Sequence, residues 1–478
     1  MQASVVERLF SLKENGTSVS QEVSAGVTTF MAMSYLIFVI PSMLADGGIP
    51  RDAATSSVIL VTVAVTLLMG LWARYPVGVA PGLGITAFFA YYVCGPAGFT
   101  WQAGLGAVFI SGLVFFLLTV TRIRQFIVNA VPIDLKLSIV VGIGAFIALI
   151  GMKSAGLVIA DPSTFVALGN VTQPEVQLSV FCFFLTAALM VKGFRAAMLI
   201  GILATTALGV ILGVTELPKG AWVSLTLPDI SAVFMQMDLQ GALSHGLLSI
   251  IFTLTMVDLF DNMGVLIGLA RKCGFMRPDG EIRNLDKAFI TDSIGTMFSA
   301  CMGTTTATSY LESASGVAAG GRTGLTAVTT AGCFVLALFF IPLVGVVPAY
   351  ATAPILIIVG ALMMQEVVHI RFERLEIAIP AFLTIMTMGF LNDLRIDQYD
   401  RAFSYINYND TLENSHLRCS EANTHRIIHG VKHICNQIMD SWCHFIHRSA
   451  DLCKYFVAFY SDCSKCHFFI LLFFCFVN

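Results

Sequence analysis

The chain has 478 residues, of which 56% are hydrophobic and only 12% charged, and its mean hydropathy of +0.82 lies far outside the range of a soluble globule. A formal net charge of −3 argues against a nucleic-acid partner, because phosphate neutralisation requires a surplus of Lys and Arg on a solvated domain, and no such domain is visible. Lipid is therefore the expected solvent for most of the chain.

The opening stretch, MQASVVERLFSLKENGTSVSQEVSAG, is polar and amphipathic. It lacks the charged start, short apolar run and small-residue cleavage site of a secretory signal. Residues 1–22 are read as a cytoplasmic segment, an interfacial helix with Arg8 and Lys13 holding the terminus inside. Apolar stretches long enough to span a bilayer then follow at about 23–45, 53–73, 79–95, 101–120, 132–153, 176–191, 196–213, 245–270, 286–302, 308–320, 324–345 and 351–368, with the start of a thirteenth before Met388. Loops after even-numbered spans carry Arg74; Arg122, Arg124 and Lys136; Lys192 and Arg195; Arg271, Lys272, Arg277, Arg283 and Lys287; Arg322; and Arg371 and Arg374. Loops after odd-numbered spans hold only Arg51, Lys153 and Lys219, an alternation that places the N-terminus in the cytoplasm.

Two spans differ from the rest. The third (VAPGLGITAFFAYYVCG) and the tenth (GTTTATSYLESASGVAAGG) are short and dense in Gly, Pro, Thr and Ser, so neither reads as a continuous lipid-facing helix. Interrupted segments at matching places in two halves point to an inverted-repeat transporter with its site near the midplane. Non-helical backbone at that depth is tolerated only where it is buried in protein or lines a cavity. The fold class expected is an all-α polytopic membrane protein in a 7+7 inverted-repeat arrangement. Residues 23–240 form the first repeat, residues 241–388 the truncated second, and each half contributes one β-like broken segment.

Intramembrane carboxylates are costly and mark functional sites by default. Asp258 and Asp261, in LTMVDLFDNMGVLIGLA, are three residues apart and share a helix face. Glu312 opens the half-helix of the tenth segment. A carboxylate there either stays ionised among donors or takes up a proton, and both options suit a proton symporter whose substrate is a neutral heterocycle with ring N–H groups. The competing reading makes the acids interhelical hydrogen-bond partners. Thr86, in GITAFF, offers a hydroxyl to the same cavity, although Ser and Thr commonly bond back to their own helix. Phe88, Phe89 and Tyr91 could stack on a flat base or simply pack. His245 and His369 sit near membrane edges.

The blocks VSAGVTTFMAMSYLIFVIPSMLADGG, VAPGLGITAFFAY, VDLFDNMGVLIGLARKCG, TDSIGTMFSA, TSYLESASGVAAGGRTGLTAV and PAYATAPILIIVGALMM together resemble the AzgA-like (azaguanine-resistance type) purine permeases, a branch of the nucleobase–cation symporters. The resemblance implies fourteen segments in two inverted repeats, with a core of segments one to four and eight to eleven and a gate made of the rest. It also implies movement of purine bases with protons across the inner or plasma membrane. Asp261 and Glu312 fall where the family has substrate-facing acids, with Asp258 nearby and Phe88 and Leu311 beside them. Thr86 falls where family members carry Asn or Thr, which leaves adenine open while favouring guanine and hypoxanthine. The expected partners are a purine base, a proton and the bilayer, and a homodimer is compatible with the sequence. No cofactor, metal or catalytic residue is expected, and the absence of a G-x-x-x-x-G-K-[ST] motif argues against an ATP-driven pump.

The resemblance stops at Met388. The tail, residues 389–478, holds seven of the nine His and seven of the twelve Cys and shows no sustained helical or strand period. Cys463-Ser-Lys-Cys466-His467 matches a haem-attachment pattern, and the scattered Cys and His suggest zinc, but haem attachment needs a translocated domain with its own axial ligand, and the other Cys and His lack the paired spacing of a structural zinc site. A redox or metal protein is thus the rival from another class, and an anion carrier of the same architecture is the rival within transport. A reading-frame change near residue 389 accounts best for the tail, and it predicts an unstable or inactive product with an intact core site.

Overall fold

The computed structural model describes residues 5–121, 132–162, 165–216, 223, 229–243, 245–275 and 282–388, all within one unit, Met1–Leu394. The reading of residues 389–478 lies outside the described residues.

Helix α1, Val5–Phe10, precedes the first span and buries Phe10 and, just beyond it, Leu12. The first span is two helices, α2 (Val19–Met33) and α3 (Leu36–Asp46), rather than the single rod expected. They meet at Ser34 and Tyr35, where the Ser34 hydroxyl donates back to Met31 O at 3.0 Å and the α-helical bonding is interrupted for two residues. α4 (Arg51–Leu68) runs on through a π-turn to Ala73. The third segment is broken as its composition predicts, into strand β1 (Val79–Pro81) and helix α5 (Leu83–Phe88), which continues to Val93. Next come α6 (Trp101–Val120) and α7 (Ile133–Ser154). A hairpin absent from the sequence reading follows, β2 (Val158–Asp161) with β3 (Phe165–Leu168). Then come α8 (Pro174–Val191), α9 (Ala197–Ile211) and the short α10 (Leu239–Ala242).

The second half continues with α11 (His245–Cys273) and α12 (Leu285–Cys301). The tenth segment is again broken, into β4 (Ala307–Ser309) and α13 (Ser313–Ala318). α14 (Gly324–Ala337), α15 (Ile341–Val344), α16 (Ala349–Met364) and α17 (Leu375–Met386) complete the described chain. Among the described residues, eight helical stretches are long and apolar enough to cross a bilayer.

The helices pack as two groups: α2–α6 with α11–α15 and the strands β1 and β4, and α7–α9 with α16 and α17. Close contacts inside each group depend on glycine. A Cβ on Gly324 of α14 would lie 1.8 Å from Gly70 O, and one on Gly360 of α16 would lie 2.4 Å from Gly144 O of α7, so each pair lets two backbones touch. α7 faces both groups, through Asp134 toward its own and through its opposite surface toward α5 and α11.

The first and eleventh segments are joined by a carboxylate. Glu22 on α2 is buried; its Oε1 accepts from Arg322 N at 2.9 Å, and its Oε2 accepts from Thr326 N at 3.2 Å and Thr326 Oγ1 at 2.6 Å. These donors cluster at the head of α14, where Thr326 N also reaches Thr323 O at 3.2 Å and a negative charge meets the positive helix end. We predict that Glu22→Ala, which strands these donors, destabilises the protein by about 2 kcal/mol or more, read as a lower melting midpoint in detergent, with Glu22→Gln falling between it and the wild type.

Candidate functional site

The two broken segments cross each other as a two-stranded antiparallel ribbon, with Val79 opposite Ser309, Ala80 opposite Thr308 and Pro81 opposite Ala307. Each strand has an outer edge with no strand beside it, which at membrane depth must be satisfied by side chains. On the β1 side, Thr66 Oγ1 of α4 donates to Val79 O and accepts from Val79 N, both at 2.9 Å. On the β4 side, Asn262 Oδ1 of α11 accepts from Ser309 N at 3.0 Å, and Thr296 Oγ1 of α12 lies 3.3 Å from Ala307 O. Tyr310 OH closes the crossing by donating to Pro81 O at 2.5 Å.

Four carboxylates surround this ribbon, and they are of two kinds. Asp258 and Asp292 are fully buried. Asp258 accepts from Asn262 Nδ2 at 2.9 Å and Thr296 Oγ1 at 3.3 Å, the same two side chains that hold β4. Asp292 of α12 accepts from Ser309 Oγ, at 3.1 Å and 3.0 Å to its two oxygens. Asp292 lay in a quoted block of the sequence but was not singled out, because nothing local indicates that its partner is on β4.

Asp261 and Glu312 are different. Both are surrounded by protein yet keep some solvent-accessible surface, and the Glu312 charge acts on Asp261. Glu312 caps α13 at the end of the tenth segment's strand and turn. Its Oε1 accepts from Tyr35 OH at 2.6 Å, and Tyr35 is fully buried at the α2–α3 break. Among the described residues Tyr35 is the side chain that bonds the Glu312 carboxylate, toward which the Glu312 backbone N–H also points, and no hydrogen bond reaches the Asp261 carboxylate. Tyr35 was also missed by sequence reading, where it reads as one more aromatic in an apolar run.

The remaining candidates fall in several places. Thr86 is fully buried, and its hydroxyl donates to Gly82 O at 2.7 Å, so Thr305, 2.6 Å away, must donate to Thr86 Oγ1. It thus ties the two broken segments together and presents no surface to the space beside Asp261. Phe88 stacks on Tyr92 with ring centroids 5.0 Å apart and lines a narrow apolar cavity with Ile85 of α5, Ile143 and Phe146 of α7, and Val257 of α11. Leu311, next to Glu312, is exposed. Phe89 is fully buried against Gly104, and Tyr91 OH donates to Asp46 Oδ2 at 2.7 Å. His369 is exposed, at the end of a short turn after α16. Among the described residues no group of three or more His, Cys, Asp or Glu is placed to hold a metal ion.

Membrane-length helices enclosing a β-crossed pair of broken segments, with carboxylates beside them, are the frame of a multi-pass membrane protein. The chain belongs to the permease family whose profile, Xan_ur_permease, matches residues 20–392, in agreement with the AzgA-like resemblance of its motifs. It is 39% identical over 389 residues to the adenine permease AdeQ of Escherichia coli K12, covering 81% of this chain and 87% of that one. To the guanine/hypoxanthine permease PbuO of Bacillus subtilis it is 39% identical over 385 residues, covering 80% of this chain and 89% of that one. The transmembrane domain of a cyanobacterial bicarbonate transporter, BicA, shares the fold with a TM-score of 0.58 at 16% identity, over 78% of this chain and 96% of that one.

The dependence of β4 on Asn262 can be tested directly. Asn262→Ala removes the acceptor for a buried backbone N–H and a donor to the buried Asp258, each costing about 1–3 kcal/mol. We predict at least a roughly tenfold loss of transport at unchanged amounts of protein in the membrane, measured by uptake against immunoblot.

Proposed function

We propose that this chain is a proton-coupled purine nucleobase symporter of the inner or plasma membrane, working by alternating access with its N-terminus in the cytoplasm. The observation that carries the reading is the pair Asp261 and Glu312, partly exposed acids whose charges interact beside two interrupted segments, with no hydrogen bond to Asp261 among the described residues. A purine offers ring N–H donors to such oxygens and accepts from backbone N–H groups, and the flat ring suits an apolar crevice like that lined by Phe88. Tyr35 holds one oxygen of Glu312 and aims the other. A carboxylate at this depth is expensive to leave charged and empty, so proton uptake and base binding favour each other.

The two inverted repeats, 23–240 and 241–388, each contribute one broken segment to the site in this reading. Relatives named for adenine and for guanine/hypoxanthine stand at the same identity, so overall similarity does not choose the base. Thr86 acts on that choice indirectly, by setting how α5 sits against Thr305; guanine and hypoxanthine are the preferred substrates.

An anion carrier is the second reading, favoured by the shared fold of the bicarbonate transporter domain. Two partly exposed carboxylates beside the broken segments repel an anion, which weighs against it.

The test is uptake of radiolabelled hypoxanthine, guanine and adenine by cells lacking other purine permeases. It is run with the full chain and with a chimera in which the C-terminal part of PbuO replaces residues 389–478, so that the tail is assessed separately from the site. Hypoxanthine and guanine should accumulate under an inward proton gradient and cease to accumulate with a protonophore. Glu312→Gln and Asp261→Asn should each lower uptake roughly 10- to 100-fold, the loss of a hydrogen bond to a charged group. Normal uptake by both variants would remove the site assignment, and gradient-independent accumulation would remove the proton.

A further inference from the structure

A second cavity, of about 520 Å³, lies where the turn between α1 and α2 meets the far ends of α11 and α13. Glu14 and Asn15 of that turn, Phe275 just after α11, Arg283 before α12 and Arg322 before α14 line it. It is remote from the acids of the broken segments: Asp261 lies roughly 18 Å back along α11 from the helix end at Cys273, at about 1.5 Å of rise per residue.

The two arginines are half-buried and held in place. Arg283 N donates to Phe275 O at 3.1 Å, Arg283 O accepts from Tyr75 OH at 2.6 Å, and Arg283 Nη1 donates to Asn15 Oδ1 at 3.1 Å. Arg322 Nη1 donates to Val317 O at 2.8 Å and Gly321 O at 3.0 Å. All the acceptors of the two guanidinium groups are thus neutral. Among the described residues their Nε and Nη2 atoms make no hydrogen bond and no carboxylate pairs with either group. Glu14 is exposed, and Glu22, which accepts from the Arg322 backbone, is turned to the head of α14. Nor do helix ends supply the missing negative charge. Carbonyls at the end of α11 already accept from Gly274 N and Phe275 N, and Val317 O of α13 has Arg322. Arg271 and Lys272, in the last turn of α11, add to the positive potential.

Two planar guanidinium groups with unused donors on one cavity call for an anion that accepts a fork from each. A phosphate ester, with its several acceptor oxygens, meets both. The volume is more than an inorganic ion fills and falls in the range of small-molecule sites, so the phosphate carries an organic body that lies along Phe275. We propose that this cavity binds a phosphate ester through Arg283 and Arg322, at a site separate from that of the transported base. Binding ties the turn after α1 to the ends of α11 and α13. A soluble nucleotide and a lipid headgroup both offer this group, and the experiment distinguishes them. The inference does not depend on the symport reading.

The probe is radiolabelled GMP, bound at equilibrium to the purified full chain, and to the chimera, in phosphatidylcholine nanodiscs. Saturable binding is expected that excess inorganic phosphate weakens and excess guanine does not. Asn15→Asp exchanges the Asn15 bond to Ser11 O at 2.8 Å for an ion pair with Arg283, in a side chain of the same shape, and should weaken binding about tenfold or more in a protein that still shows a folded melting transition. Arg322→Gln, which removes the other fork, should weaken it as much. If GMP does not bind but phosphatidylglycerol in the nanodiscs raises the melting midpoint of the unsubstituted protein and not that of Asn15→Asp, the phosphate ester is a lipid's and the site stands. Displacement of GMP by guanine, binding at full strength by Asn15→Asp, or no response to either GMP or phosphatidylglycerol overturns the inference. Asn15→Asp decides even where Arg322→Gln does not fold.

Discussion

The structure depends on satisfying the hydrogen-bonding groups of two three-residue strands inside a membrane. Helices satisfy their own backbone, but β1 and β4 satisfy each other on one edge only. Their outer edges require Thr66, Asn262 and Thr296, drawn from three different helices. Those helices are consequently fixed around the crossing, and the heads of α5 and α13, which begin where the strands end, are fixed with them. Thr86 and Thr305 add a direct bond between the two broken segments.

This requirement divides the buried acids into two roles. Asp258 and Asp292 serve the scaffold: one orients Asn262 and Thr296, the other takes the Ser309 hydroxyl. Their oxygens are occupied by neighbours from α11, α12 and β4. Among the described residues Asp261, one turn along α11 from Asp258, has no such neighbour, and the side chain bonded to Glu312 is Tyr35. Two carboxylates three residues apart on one helix thus have different surroundings: Asp258 is sealed within the strand network, and Asp261 keeps some exposure. Glu22 is a third case, a carboxylate used to finish the head of a helix.

Much of this was legible in the residues. Gly, Pro and Thr density marked the third and tenth segments as broken, because such residues cannot hold a lipid-facing helix. Asp261 and Glu312 stood out because acids are rare in apolar runs. Less legible was anything whose meaning lies in a partner hundreds of residues away. Tyr35, Asp292 and Glu22 each sit in an ordinary local context, and only folding sets them against Glu312, Ser309 and the start of α14. The break between α2 and α3 at Ser34 and Tyr35 has no Gly or Pro at it to announce it. Thr86 was read as facing a cavity, whereas its hydroxyl is buried between Gly82 O of its own segment and the Thr305 hydroxyl of the other. Lys136 was counted with the loop charges although the span expected at 132–153 already contained it, and the helix does begin at Ile133.

The pairing of β1 with β4 also constrains how the protein is made. The first strand leaves the ribosome long before its partner, which lies in the other half of the chain. Until that partner arrives, one edge of β1 would face hydrocarbon with nothing to bond. Membrane insertion therefore cannot proceed span by span to completion. The early segments have to wait in a hydrated or shielded place, and the late ones complete them, so assembly is committed only when the tenth segment is in.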